Sequence, residues 1–290
     1  MPYGTMATMW FELTVEVPAA SSDAVANFLI EAGAPGLQLD DRGGTVCLVA
    51  HYTEAPPVEF LRHYCADLGV SLNRDAIGIR QIRSEDWAEN WKLHFPPQPV
   101  GARLYVCPPW DATAPPGRIA VVIEPGMAFG TGQHPTTAGC LTLLDRVIGT
   151  QRIRRALDMG TGSGILAIAM AKLGVQDVWA IDRDPQALAI ADANATRNGV
   201  REHIHLLPHI DTSGGSFDLI VANLFANLLA ELADIFARRL SPSGRVICSG
   251  MLATDEQGVC GAYEAHGFEL SCRLEDGGWV TLEFVQPPPS

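Results

Sequence analysis

The chain has 290 residues, of which 47% are hydrophobic and 18% charged, and its formal net charge is −13. This composition is typical of a soluble globular protein that is long enough for two domains. The charge and the absence of a run of Lys and Arg exclude a typical nucleic-acid binder. The negative charge either attracts a basic partner or only provides solubility. We expect a cytoplasmic protein without a membrane segment, since no apolar stretch reaches ~18–20 residues and no signal-peptide pattern is present.

Short strands and helices alternate over residues 1–83. The run WFELTVEV alternates apolar and polar side chains as a half-buried strand does, and SSDAVANFLIEAG combines a polar start, helical spacing and a closing glycine. The strands GLQLDD and TVCLVAHY, the helix PPVEFLRHYCADLG and the strand AIGIRQIRS complete a βαββαβ order. This order predicts a small ferredoxin-like α+β domain over residues 1–83 that shows no catalytic cluster.

Residues 84–99 are predicted to be an interdomain linker. Trp87 and Trp91 are four residues apart, so they share one face of a short helix, which the following prolines end. We expect these two aromatic side chains to pack against one of the domains.

Strands and helices alternate again over residues 100–290. The order is RALDMG, GILAIAMAKLG, DVWAID, PQALAIADANATRNG, HIHLLPH, FDLIVANL, LAELADIFARRLS and GRVICSG, and FELSCRLEDGGWVTLEFV reads as a closing hairpin that turns at DGG. This pattern predicts an α/β, doubly wound, Rossmann-like domain whose sheet is mainly parallel and carries an antiparallel edge hairpin.

A glycine-rich turn follows the first strand of this series. It reads LDMGTGSG, with Gly160, Gly162 and Gly164, and Asp182 follows 18 residues after the last of these glycines. A dinucleotide fingerprint would need its third glycine where Ile165 stands, and no P-loop lysine is present. A compact turn with an acid that can accept the ribose hydroxyls therefore fits S-adenosylmethionine better than NAD, and a nicotinamide dehydrogenase is the weaker alternative.

The stretch ANLFANLL contains the candidate catalytic residue, Asn223. It ends a strand across the topological switch point from the glycine turn, where a reacting group would lie. The carbonyl oxygen of its side chain could accept a hydrogen bond from a substrate amine and aim the nitrogen lone pair at the cofactor methyl. The alternative is that Asn223 is a helix cap.

A long loop, EPGMAFGTGQHPTT, precedes the glycine turn. Three glycines let its backbone approach a ligand closely, and these are Gly126, Gly130 and Gly132. Thr136 and Thr137 can cap the next helix. We expect the loop to cover the methionine end of the cofactor, with His134 either a base or a residue that holds the loop's shape.

Neither a metal site nor a disulfide is expected. The seven cysteines are scattered and never form a C-x-x-C pair. His203, His205 and His209 lie near one strand, but no carboxylate or cysteine stands at ligand spacing to them.

In order along the chain, several motifs resemble the bacterial ribosomal protein L11 methyltransferase family. They are EDWAENWK…F, RLYVCPPW, PGMAFGTGQHPTT, LDMGTGSGILAIAMAKLG, AIDRDPQAL…NA…NGV, DLIVANLFANLL and SGML. The motifs run from about residue 84 to the end, and the amino-terminal module agrees by pattern only. The resemblance implies an S-adenosylmethionine-dependent methyltransferase domain over residues 100–290 and a substrate-recognition domain before the linker. The implied substrates are lysine side chains and an α-amino group of ribosomal protein L11, a basic partner, and we expect a monomer.

The resemblance also implies roles for individual residues. Asn223 would be catalytic, and the cofactor would be bound by Thr137, Gly160, Gly162, Asp182 and Asn223. Three positions depart from the family pattern: Thr161 replaces a Cys, Glu124 replaces an Asp, and NLFA replaces NILA. Because of these departures, the substrate could instead be lysines of another protein or a small amine. The alternative from a different functional class is a non-catalytic module that binds the cofactor.

Overall fold

The computed structural model describes residues 9–34, 37–52, 55–70, 72, 76–83, 95–125, 134–210 and 215–286. Two units can be separated along the chain, Met1–His94 and Phe95–Ser290. The predicted helix of Trp87 and Trp91 lies outside the described residues, and so do the loop residues 126–133.

The described residues of the first unit form a four-stranded antiparallel sheet with helices packed against it. Its elements are β1 (Met9–Pro18), α1 (Ser22–Glu31), β2 (Leu37–Asp41), β3 (Thr45–Tyr52), α2 (Val58–Asp67) and β4 (Ile77–Arg83). The strand order is β2-β3-β1-β4. From Leu13 to Val17 every second residue of β1 is buried (Leu13, Val15 and Val17), as the alternating pattern predicts, and these residues share a core with Leu29 of α1 and Leu61 of α2.

The second unit begins with a small sheet of three strands, which are β5 (Gln98–Val100), β6 (Leu104–Cys107) and β7 (Ile119–Val122). The large sheet contains β8 (Arg155–Met159), β9 (Asp177–Ile181), β10 (Ile204–Leu207), β11 (Phe217–Asn223), β12 (Leu240–Leu252), β13 (Glu269–Asp276) and β14 (Trp279–Val285).

The large sheet has the order β10-β9-β8-β11-β12-β14-β13. Neighbours from β10 to β12 are parallel, whereas β14 is antiparallel to both β12 and β13. The chain adds β9 and β10 on one side of β8 and returns to add β11 on the other. The carboxyl ends of β8 and β11 therefore form the topological switch point, where α/β sheets bind ligands.

Helices cover both faces of the large sheet. They are α3 (Pro135–Thr150), α4 (Ile165–Lys172), α5 (Pro185–Arg197), α6 (Ala226–Arg239) and α7 (Glu256–Glu264). Alternate residues of β11 show the two layers: Leu219 and Val221 share a core with α3 and α4, while Ile220 and Ala222 share another with α6 and α7. The α/β class predicted from the sequence is confirmed. No helix within the described ranges is long and apolar enough to span a membrane.

Helix α7 was not predicted. Two glycines lie within it, Gly258 and Gly261, and glycine disfavours a helix interior by about 1 kcal/mol each. Val259 and Tyr263, one turn apart, are buried against the sheet, so tertiary packing overrides the weak local signal.

Candidate active site

The glycine turn connects β8 to α4 at the switch point. Gly160, Gly162 and Gly164 all have a left-handed backbone, with φ of 76°, 53° and 83°, which side chains larger than glycine rarely adopt. The backbone N–H groups of Gly160 and Thr161 both donate to the carbonyl oxygen of Ile181, at 2.8 and 2.9 Å. The turn is thereby held against the end of β9.

Asp182 follows β9 directly and is only partly buried. Its Oδ2 accepts a hydrogen bond from the backbone N–H of Gly162 at 2.9 Å, and its Oδ1 accepts one from that of Asp184 at 3.0 Å. Each carboxylate oxygen can accept a second hydrogen bond. The carboxylate is therefore fixed beside the glycine turn and keeps acceptor capacity for a ligand hydroxyl.

Asn223 ends β11, and its side-chain amide has two different surroundings. Its Nδ2 donates to Thr137 Oγ1 at 3.3 Å, whereas its Oδ1 is buried and has no hydrogen-bond partner among the described residues. A buried acceptor without a donor is costly, so such an atom calls for an explanation. A ligand donor would satisfy it.

The structure does not support the alternative that Asn223 is a helix cap. The cap residue of α6 is Phe225, and no side chain makes the capping hydrogen bond. The amide of Asn223 contacts the first turn of α3 instead, through the fully buried Thr137.

Leu224, the residue after Asn223, packs its side chain against Gly160 of the glycine turn. A Cβ atom added to Gly160 would lie 2.5 Å from Leu224 Cδ2, and one added to Gly250 would collide with the Leu224 carbonyl oxygen. The backbone N–H of Leu224 donates to the carbonyl oxygen of Ser249 at 2.9 Å. The segment that leaves β11 is thus packed between the two glycines, directly beside the turn.

Asp158 is a buried carboxylate that the sequence analysis did not single out. It is fully buried in β8, its Oδ2 accepts from Thr161 Oγ1 at 2.6 Å and from the backbone N–H of Ala167 at 3.1 Å, and its Oδ1 has no partner in the described structure. Burial, together with the charge of Asp182, raises the pKa of Asp158 to about 7. The available signal was a carboxylate between the apolar residues Leu157 and Met159, just before the glycine turn.

His134 begins α3 as its cap residue. Its Nδ1 lies 2.8 Å from Thr136 Oγ1 and accepts from the Thr136 backbone N–H at 3.4 Å. Its ring packs edge-on against Trp279, with 4.8 Å between centroids. Burial lowers the pKa of His134 and so favours the neutral ring. These contacts favour the interpretation that His134 holds the shape of the loop over the interpretation that it acts as a base.

The structure joins the five predicted site residues through three contacts. Gly162 donates to Asp182, Leu224 connects Gly160 to Asn223, and Asn223 donates to Thr137. Within the part of the chain that the structure describes, no group of three or more His, Cys, Asp or Glu side chains could hold a metal ion.

Comparison with known proteins identifies the family. The family model described as "Ribosomal protein L11 methyltransferase (PrmA)" matches residues 9–287. A ribosomal protein L11 methyltransferase of Syntrophotalea carbinolica is 38% identical, covering 97% of this chain and 99% of the relative. That of Citrifermentans bemidjiense is 36% identical, covering 97% and 100%.

A solved structure gives the same result. The crystal structure of the ribosomal protein L11 methylase from Lactobacillus delbrueckii subsp. bulgaricus is 30% identical, has a TM-score of 0.59, and covers 65% of this chain and 96% of that chain. These findings confirm the resemblance inferred from the sequence motifs. The chain is a methyltransferase and belongs to the ribosomal protein L11 methyltransferase family.

Proposed function

We propose that the protein transfers methyl groups from S-adenosylmethionine to lysine side chains and an α-amino group of ribosomal protein L11. The observation that carries the proposal is the buried Oδ1 of Asn223, which has no hydrogen-bond partner among the residues that the structure describes. It lies on a strand next to the one that ends in the glycine turn, because Ala222 pairs with Met159 across β11 and β8. The names of the relatives support the choice of substrate.

The residues at the switch point fit the cofactor. The Asp182 carboxylate retains acceptor capacity for both ribose hydroxyls, and the turn beside it contains three glycines with a left-handed backbone. Gly160, Gly162 and Thr137 complete the proposed binding set. When bound, S-adenosylmethionine supplies an electrophilic methyl group on a sulfonium centre. Ile165 at the third position of the glycine pattern argues against a dinucleotide.

Asn223 orients the substrate amine. Its Nδ2 is engaged with Thr137, so the amide presents Oδ1 as the acceptor for an amine N–H. Fixing the direction of the nitrogen lone pair is the main contribution expected of this chain, because methyl transfer between two bound partners is accelerated chiefly by orientation. The lysine amine has a reference pKa of ~10.4 and must be neutral when it reacts. We assign no side chain as its base, and water accepts the proton.

We further propose that residues 1–83 are a ferredoxin-like substrate-recognition domain, residues 84–99 a linker and residues 100–290 the methyltransferase domain with an antiparallel edge hairpin. The βαββαβ order with strand order β2-β3-β1-β4 supports the first assignment. The antiparallel pair β14 and β13 at one side of the large sheet supports the last. The net charge of −13 suits a basic protein substrate, and we propose a cytoplasmic monomer that does not contact nucleic acid directly.

The test is methylation with cofactor carrying a labelled methyl group. The purified protein is incubated with purified ribosomal protein L11, with the remaining ribosomal proteins and with free lysine, and the products are located by mass spectrometry. We expect label on lysine side chains and the amino terminus of L11. Label only on another protein or on the free amine would overturn the substrate assignment. Cofactor binding without any labelled product would identify a non-catalytic module.

A further inference from the structure

A buried asparagine on α5 connects the glycine turn to the segment that follows β7. Asn194 is 1% exposed, and its Nδ2 donates to the carbonyl oxygen of Ser163, in the turn, at 2.9 Å. Its Oδ1 accepts from the backbone N–H of Glu124 at 3.3 Å. Glu124 lies two residues after the end of β7. One side chain therefore bridges two backbone segments that are far apart in the sequence.

We propose that Asn194 is a positioning residue for the cofactor: it sets the conformation of the glycine turn without touching the cofactor itself. The inference rests on the proposed function, in which this turn holds S-adenosylmethionine. The Ser163 carbonyl belongs to the peptide unit between Ser163 and Gly164, two units after the one whose N–H, that of Gly162, donates to Asp182. A shift of this carbonyl would tilt the neighbouring peptide units and misalign the Gly162–Asp182 contact.

The surroundings of Asn194 keep its amide in one orientation. Arg197 donates to Asn194 Oδ1 at 2.9 Å and also pairs with the Glu124 carboxylate at 2.5 Å. The amide oxygen thus faces two donors, which leaves the amide nitrogen facing the Ser163 carbonyl. Glu124, a departure from the family pattern, is long enough to make this ion pair. The bridge is thereby specified by hydrogen bonds and not by packing alone.

Asn198, one turn further along α5, provides a matched comparison. Its Nδ2 donates to the Val122 carbonyl oxygen at 2.6 Å, and its Oδ1 accepts from the Val122 N–H at 2.9 Å. Asn198 is also buried, at 9% exposed. Both asparagines attach α5 to the end of β7, but of the two only Asn194 makes a hydrogen bond with the glycine turn in the described structure.

The experiment compares Asn194→Leu with Asn198→Leu in the full-length protein. Each removes a buried amide of similar size, so both should lower the melting temperature. Binding of S-adenosylhomocysteine is measured by calorimetry well below both melting temperatures. We expect the Kd to rise at least about tenfold for Asn194→Leu, equivalent to ~1.4 kcal/mol, and to stay within about twofold for Asn198→Leu. The KM for S-adenosylmethionine should rise in the first variant while the KM for the protein substrate stays unchanged.

A milder variant covers the case in which Asn194→Leu does not fold. Asn194→Asp keeps the shape and the acceptor oxygens and removes the amide donor, so we expect the same direction of change in Kd. Equal affinities in the Asn194 and Asn198 variants, or an unchanged Kd in Asn194→Asp, would overturn the inference. Failure of the unaltered protein to bind S-adenosylhomocysteine would instead overturn the proposed function.

Discussion

Replacing Asn223 by alanine should separate catalysis from stability. The substitution removes one hydrogen bond, from Nδ2 to Thr137 Oγ1, whose length of 3.3 Å is near the outer limit for such a bond. It also removes the buried Oδ1, which has no partner in the described structure. The two effects on the free energy of unfolding oppose each other.

The magnitudes follow from these contacts. Losing a hydrogen bond of this kind costs about 0.5–1.5 kcal/mol, and removing a buried acceptor without a partner returns about 1–3 kcal/mol. The free energy of unfolding should therefore stay within about 1.5 kcal/mol of its original value or rise. Turnover should fall about a hundredfold, because the amine loses its orientation, and this corresponds to ~2.7 kcal/mol in the barrier.

The assay combines urea unfolding with single-turnover methylation of ribosomal protein L11 at saturating cofactor. Thr137→Val is the accompanying variant, since it keeps Oδ1 and removes the partner of Nδ2. Saturating cofactor compensates for weaker cofactor binding, so this variant should lose less activity than Asn223→Ala. Single-turnover rates within about a factor of two of the unaltered protein, with an intact fold, would refute a catalytic role for Asn223.

Three other variants test the remaining assignments. Asp182→Ala should weaken cofactor binding by about 2–4 kcal/mol, since charge-assisted hydrogen bonds are lost; unchanged affinity by calorimetry would refute ribose binding. Asp158→Asn should become more stable relative to the unaltered protein as the pH rises from roughly 4 to 7, by on the order of 4 kcal/mol, because the folded-state pKa of Asp158, about 7, disfavours its ionised carboxylate. A difference in the free energy of unfolding between the two proteins that is the same at pH 5 and pH 7.5, measured by urea unfolding, would contradict this. A truncated chain of residues 84–290 should bind cofactor but fail to methylate intact L11. Equal methylation by the truncated and the full-length protein would show that residues 1–83 do not recognise the substrate.

Elements around the site could be predicted where their signals are local. Asp184 caps α5 and precedes Pro185, as the sequence DRDP suggests, and the Asp182 carboxylate lies at the end of β9 because the strand and the helix fix its place. Gly277 and Gly278 form the turn between β13 and β14 at the predicted DGG. In these cases a few adjacent residues determine the backbone conformation.

Long-range contacts could not be predicted in this way. Asn194 meets Ser163 across 31 residues and Glu124 across 70, and one sequence contains no signal for such a pairing. The sequence predicts Gly160 as part of a compact cofactor-binding turn, whereas the structure adds a steric reason for glycine there, the nearby Leu224 side chain. Asp158 has a local signal in its apolar neighbours, but its complete burial depends on helices that pack from elsewhere in the chain.

The position of Leu224 between two glycines limits the order in which substitutions can accumulate. At Gly160 the obstacle is the end of a flexible side chain, so Leu224→Ala first and Gly160→Ala second avoids the collision, although the left-handed backbone still disfavours alanine. If Gly160→Ala came first, the intermediate would have both the collision with the Leu224 side chain and the strain of alanine in a left-handed backbone. At Gly250 the obstacle is the backbone of residue 224, which no side-chain replacement can remove. Substitution of Gly160 is therefore favoured only after Leu224 has been replaced by a smaller residue, while glycine at 250 is retained.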